Sequence, residues 1–120
     1  MKKNQNKISE IIELLKLKVK SCEKNLPHIR IEGGYVSDLL SDVMANSKKG
    51  DIWITNQVHP NIVAVAVLKE IACIIIVRNR EPESETIKKA ESEKIVIFSS
   101  EMSAFELAGK LYGLGIPGMR

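Results

Sequence analysis

Aromatic residues make up only 4% of the chain, with one tryptophan, two tyrosines and two phenylalanines. No basic cluster is interleaved with them, so the base-stacking surface of a nucleic-acid binder is not expected. Cysteine is equally sparse. Cys22 and Cys73 stand far apart with no CxxC spacing, which excludes a disulfide scaffold and a zinc ribbon. The two histidines, His28 and His59, are also isolated, so no metal site and no cofactor is expected. The longest apolar stretch, Ile62 to Val77, is broken by Lys69-Glu70 and falls short of a membrane span. Walker A, GxGxxG and GxSxG patterns are missing, which argues against ready-made nucleotide hydrolysis or acyl transfer. No signal-peptide pattern opens the sequence, and with Cys73 inside an apolar run this points to a reducing cytoplasm.

Charge of one sign is not in excess where it would matter. The net charge is +3, yet residues 1–24 alone carry seven lysines against three glutamates. The remainder is close to neutral, so the positive balance belongs to a solvated opening segment. At 120 residues, 44% apolar and 28% charged, the chain fits one globular domain with a real core.

What is present is a repeat. Asp51-Ile-Trp-Ile-Thr55, Ala72-Cys-Ile-Ile-Ile-Val77 and Lys94-Ile-Val-Ile-Phe98 recur at about 22-residue spacing, each followed by a helical pattern. Continuous apolar runs suit strands buried on both faces of a parallel sheet. The expected fold class is therefore α/β, a three-layer α/β/α sandwich with a mostly parallel sheet built from successive β-α units.

The flanking segments are read in the same way. Met1 to Asn6 is polar and expected to fray. Ile8, Ile11, Ile12, Leu15, Val19 and Cys22 trace one face of an amphipathic helix over 8–24, and an α/β core follows over 28–116. His28 to Glu32 alternates like a short strand, and Gly33-Gly34 reads as a turn. Asp38 is the expected cap of a helix with Leu39, Leu40, Val43 and Met44 inside. Ile62 to Leu68 has the β-branched alternation of a strand. The crossover that parallel neighbours require makes it a helix over 60–71. It is apolar nearly all round, so Ile62, Val65, Ala66 and Lys69 are the expected homodimer interface. A charged helix is expected from Pro82 to Glu93. The last starts at the capping box Ser103-x-x-Glu106, with Phe105, Leu107, Ala108 and Leu111 inward. Gly113 to Gly118 reads as a helix stop and tail, since a phosphate loop joins a strand to a helix.

Ligands of open α/β sheets gather beyond the carboxyl ends of the strands, beside helix N-termini. Those loops contain Thr55, Asn56, His59, Asn61, Arg78, Arg80, Ser99 and Ser100. One imidazole, two guanidiniums, hydroxyls and amides suit a phosphate or carboxylate group. The same residues also serve as caps and turns. No nucleophile or orienting carboxylate is identifiable beside His59, so no catalytic residue is assigned. General-base, ligand-binding and structural roles all remain open for that ring.

From about Ile8 to Ile116 the chain resembles the small stand-alone proteins of the DRTGG-domain family. The resemblance is carried by Gly34-Tyr-Val-Ser-Asp-Leu-Leu-Ser-Asp-Val-Met44, Gly50-Asp-Ile-Trp-Ile-Thr55 and His59-Pro-Asn-Ile-Val-Ala-Val-Ala66. Arg80-Glu-Pro-Glu83 and the segment Ser103 to Tyr112 match as well. The resemblance implies a fold like the N-terminal domain of HPr kinase/phosphorylase. It also implies an accessory, regulatory or dimer-forming role and not catalysis. Where many members carry Gly-Asp-Arg and Thr-Gly-Gly, this chain reads Gln57-Val58-His59 and Val77-Arg78-Asn79. The expected function is a non-catalytic, homodimeric regulatory domain in the cytoplasm that binds a nucleotide or phosphorylated metabolite. The alternatives are a module that docks on a partner protein without a small ligand, and, last, a small enzyme using His59.

Overall fold

The apolar runs become the centre of a five-stranded sheet in the computed structural model, which describes the backbone of residues 3–120 and side chains from Ile8 onward. Strands β1 (Lys18–Val19), β2 (Gly33–Val36), β3 (Asp51–Thr55), β4 (Cys73–Ile76) and β5 (Ile97–Ser99) stand in the order β1-β5-β4-β3-β2. The pairs β2–β3, β3–β4 and β4–β5 are parallel, and β1 runs antiparallel along β5. Every residue of β3, β4 and β5 is buried, as a sheet covered on both faces requires.

Alternation along the strands sends side chains to two layers. Ile52, Ile54, Cys73, Ile75 and Phe98 pack with α1 (Lys3–Leu15) and α5 (Ala104–Gly113). Trp53, Ile74, Ile76 and Ile97 pack with α2 (Leu40–Asn46), α3 (Asn61–Lys69) and α4 (Ser84–Glu93). The expected three-layer α/β/α sandwich is the fold that forms. Each fully buried isoleucine in these layers contributes roughly 1.5–3 kcal/mol by leaving water. The Trp53 indole donates to the Ser37 carbonyl at 2.9 Å, so its polar edge is satisfied. Among the described residues no helix is long and apolar enough to cross a membrane.

Several local expectations are corrected. The first helix ends at Leu15, not at residue 24, because Lys16 turns into the left-handed region at φ 55°. Val19, which continues the apolar periodicity, lies in β1 opposite Phe98. The polar opening expected to fray lies partly outside the described residues (1–2), and the backbone from Lys3 is assigned to α1. His28 to Glu32 is not a strand, since a 3-10 helix occupies Glu23–His28. The glycine pair is no turn and instead starts β2. A Cβ on Gly33 would collide with the Arg120 guanidinium and with Asp51 Oδ1. At Gly34 the backbone N–H donates to the Pro117 carbonyl at 3.0 Å. The segment after α5 therefore covers the outer edge of β2, which would otherwise offer unpaired backbone groups. Ile116 is buried there, and Arg120 pairs with Asp51 at 2.5 Å.

Two amphipathic faces also differ. Of the residues expected inside α2, Val43 is fully buried, whereas Leu39 is 64% and Met44 38% exposed. In α5, Leu107 and Leu111 face the core, but Phe105 is 89% exposed. The Ser103 cap forms, with its hydroxyl accepting from the Glu106 N–H at 3.3 Å. Ile62, Val65 and Ala66, expected at a dimer interface, are buried against the chain's own sheet, and Lys69 is half-buried. The outward side of α3 is Ala64, Val67 and Leu68.

Candidate functional site

Parallel pairing brings the carboxyl ends of β3, β4 and β5 side by side, and with them the loops 55–60, 77–83 and 99–103. Thr55, Ile76 and Ser99 occupy neighbouring register positions. All eight residues expected at the site therefore lie along one edge of the sheet.

The first loop is held from two sides. Asp38 Oδ1 accepts from Thr55 Oγ1 at 2.9 Å and from the Asn56 N–H at 2.6 Å. The Asp38 carbonyl accepts from Gln57 Nε2 at 2.8 Å. From the other side Arg80 Nη1 donates to the Asn56 carbonyl at 2.6 Å. Asp38 is thus no helix cap. The cap position of α2 falls on Leu39, without a side-chain hydrogen bond, and the Asp38 carboxylate fastens the β2–α2 connection to the end of β3. His59 Nδ1 accepts from the Asn61 N–H at 3.0 Å, which satisfies an orphan donor in the first turn of α3. That bond fixes the ring tautomer and leaves Nε2–H as the free donor.

The second and third loops are tied to each other. Arg78 and Asn79 are consecutive left-handed residues, at φ 60° and 57°. Their N–H groups donate to the carbonyls of Met102, at 2.9 Å, and Ser100, at 2.7 Å. Ser100 in turn donates its N–H to the Ile76 carbonyl and accepts from the Met102 N–H at Oγ. Two successive non-glycine residues with positive φ are uncommon and costly, and such strain concentrates where function requires it.

Two buried side-chain oxygens have no hydrogen-bond partner among the described residues, Asn56 Oδ1 and Ser99 Oγ. Both belong to this edge. Leaving a buried acceptor or hydroxyl unpaired costs about 1–3 kcal/mol, so each calls for an explanation. Two guanidiniums and an imidazole border them. His59, Arg78 and Arg80 are exposed, and the Arg78 guanidinium has no side-chain partner among the described residues. Of the nearby acids, Glu81 pairs with Lys20 at 3.0 Å and Glu101 with Lys18 at 4.0 Å. Guanidiniums and an imidazole N–H form a donor set for an anion.

Nucleophilic chemistry has little to work with. Burial pushes the Cys73 thiol up to about 12. The Cys22 thiol is also raised, first by burial and then by the neighbouring Glu91 carboxylate. Both stay protonated near neutrality. Among the described residues no group of three or more His, Cys, Asp or Glu side chains is placed to hold a metal.

A separate depression of about 310 Å³ lies at the opposite, amino edge, lined by His28, Arg30, Glu32, Lys49, Glu70 and Lys94 among others. Its charges are mixed, and Lys49 is paired with Glu70 at 3.2 Å. The unpaired buried atoms favour the carboxyl edge over this one.

No protein-family model and no curated protein matches the sequence. Among solved structures, the chain is similar to the regulatory region of a Clostridium perfringens pyrophosphatase. That region comprises CBS and DRTGG domains and was crystallised with its activator, diadenosine tetraphosphate. The match has a TM-score of 0.71 at 18% sequence identity, and covers 92% of this chain and 47% of that one. The chain has a DRTGG-like fold. It spans just under half the length of that regulatory region.

Arg78 and Asn79, read in the sequence against a Thr-Gly-Gly stretch, have the left-handed backbone that glycine adopts at no steric cost. Asp38 escaped the sequence reading as a site residue. It lies 17 positions before Thr55, and only the adjacency of β2 and β3 brings the two together.

Proposed function

We propose that this chain is a non-catalytic regulatory domain of the cytoplasm, acting as a homodimer, that senses a small anionic metabolite or nucleotide at the carboxyl edge of its sheet. The observation that carries this reading is the coincidence, at one edge, of the unpaired Asn56 Oδ1 and Ser99 Oγ with exposed His59, Arg78 and Arg80. A phosphate-bearing ligand supplies acceptors to the guanidiniums and to His59 Nε2–H. A hydroxyl or amino group of the same ligand supplies a donor to Asn56 Oδ1. The likeness in fold to a regulatory region that binds diadenosine tetraphosphate supports nucleotides as the first ligand class. In this reading His59 binds and does not catalyse, a role supported by the Nδ1 contact with the Asn61 N–H.

Thermal unfolding against adenine and guanine nucleotides, dinucleotides and phosphorylated metabolites tests this. A ligand at about 100 times its dissociation constant adds roughly 2.7 kcal/mol of stability. Arg78→Ala and Arg80→Ala are expected to remove that shift while leaving a folded protein. Unaltered ligand responses in both variants would remove the site from this edge. A second reading, a module that docks on a partner protein without a small ligand, draws on the exposed apolar side chains Leu39, Phe105 and Tyr112. A flat panel would favour it.

A further inference from the structure

We propose that the outer edge of β2 accepts an extended peptide segment of another protein as an added strand, with an apolar side chain of that segment seated between β2 and α5. This surface is distinct from the anion site described above and does not depend on it.

The tail that follows α5 covers only the start of that edge. Gly34 sends its N–H outward to the Pro117 carbonyl at 3.0 Å, while the Ser37 N–H turns inward to the Ile54 carbonyl of β3 at 3.2 Å. Residues 34 and 36 therefore present their backbone groups to the outside, and residue 35 presents its own to β3. Pro117 has no N–H to return to the Gly34 carbonyl. That carbonyl, and the N–H and carbonyl of Val36, have no partner among the described residues. Val36 is 48% exposed. Three ladder groups are thus left open between the tail and the end of β2.

Beside them lies an apolar groove of about 130 Å³, lined by Gly34, Val36, Ile54, Ala108, Tyr112 and Ile116 among others. It is well below the roughly 300–1,000 Å³ of a small-molecule site, and its scale suits a single side chain. The bare Gly34 helps to open it. A Cβ there would make only ordinary contacts, 3.8 Å from the Ile52 carbonyl oxygen and 3.9 Å from Ile116 Cγ2. Packing within the chain therefore does not demand glycine at this position. Tyr112, 72% exposed, forms the outer wall.

The two features together select the occupant. An open strand edge takes a strand, whose main-chain hydrogen bonds give affinity while pockets for alternate side chains give specificity. In antiparallel pairing one peptide residue exchanges both bonds with Val36. Its side chain falls on the same face as that of Val36, which is the face of the groove. An apolar groove alone would take a helix as readily, but a helix leaves the three ladder groups unpaired. The other exposed apolar side, Val67 and Leu68, lies on helix α3 and has no open ladder beside it.

Amide chemical-shift titration of the whole chain with five blocked peptides tests the assignment. Each is acetyl-Lys-Thr-Xaa-Thr-Lys-amide, with Xaa alanine, valine, isoleucine, leucine or phenylalanine. Shifts are expected at residues 34–37 and 108–117, with affinity rising by about 10-fold or more from alanine to the best apolar residue. N-methylation of Xaa removes the N–H meant for the Val36 carbonyl and is expected to abolish binding of that peptide. Val36→Pro removes the matching donor on the protein, at an edge position where proline is tolerated. It is expected to weaken binding by about 10-fold, and Tyr112→Glu, which charges the groove wall, by a similar factor. Leu68→Glu on α3 is expected to bind like wild type. Circular dichroism checks the fold of each variant, and if Val36→Pro unfolds the N-methylated peptide carries the same test. Equal binding of the N-methylated and parent peptides would overturn strand addition. Absence of shifts at 34–37 with all five peptides at millimolar concentration would overturn the surface. A concentration-dependent dimer that excludes the peptides would also overturn the proposal and give the edge to a second copy. Anion binding is read at residues 55–61, 78–80 and 99–103, so its failure and that of the peptide site are distinguishable.

Discussion

Replacing Arg78 by glycine is expected to stabilise the fold while weakening anion binding. The two effects have separate origins. Arg78 holds φ 60° because its N–H is fixed to the Met102 carbonyl and the N–H of Asn79 to the Ser100 carbonyl. A residue with a Cβ pays about 1–2 kcal/mol in this conformation. Glycine escapes that penalty and gives back about 0.5–1 kcal/mol through its freer unfolded chain. The net gain is about 0.5–1 kcal/mol, a rise in melting temperature of a few degrees for a domain of this size. Arg78→Ala is the control. It removes the same exposed guanidinium but keeps the Cβ, so its stability stays within about 0.5 kcal/mol of wild type. Urea unfolding with matched slopes measures the difference between the two variants. Both are expected to lose anion affinity equally. If glycine is no more stable than alanine, the loop does not hold the left-handed pair in solution, and the account of its strain fails.

Other perturbations follow the same logic. Arg120→Ala strands Asp51, a carboxylate only 2% exposed, with the Lys48 N–H as its remaining partner. The expected cost is about 2–3 kcal/mol, below the full range for a broken buried pair because the Arg120 side chain is partly exposed. An Asp51→Asn background should shrink that cost in chemical denaturation. Raising the pH from about 9 to 12 is expected to destabilise the protein through Cys73. Its thiol titrates near 9 when unfolded and is pushed up to about 12 by burial in the fold. The folded state therefore retains a proton that the unfolded state has lost, and stability falls by up to about 1.4 kcal/mol per pH unit in that window. Cys73→Val should flatten the slope by that amount in denaturation curves recorded across the window. Asp38→Ala is expected to release the N–H of Asn56 and the hydroxyl of Thr55, costing about 1–2 kcal/mol. Faster amide exchange at 56–57 is the readout.

The sheet was legible because its three inner strands are short, continuous apolar runs between helical patterns, and their length and regular spacing mark them as strands. Helix α3 was legible only through topology, since its β-branched sequence fits a strand equally well. The edges were harder to read. A two-residue strand such as β1 has no periodicity, and the apolar positions Val19 and Cys22 mimic one more turn of helix. The glycine pair at 33–34 looks like a turn until Arg120, more than 80 positions away, is seen to need the room at Gly33 and the Pro117 carbonyl to take the Gly34 N–H. At the site, the loop residues could be named from strand ends. Their partners could not be, because the bonds from Asp38 to Thr55 and from Arg80 to Asn56 depend on which strands are neighbours. Exposure of Phe105 was hidden for a related reason. The helical pattern shows that α5 is apolar on more than one side, but not which side the sheet takes.

The measurement that bears most directly on the central claim is an amide chemical-shift titration of the whole chain with ATP and with inorganic pyrophosphate. The account predicts dose-dependent shifts confined to residues 55–61, 78–80 and 99–103, diminished in Arg78→Ala. Shifts clustered instead around Arg30, Lys49 and Lys94 at the amino edge, or none with either probe, would contradict it.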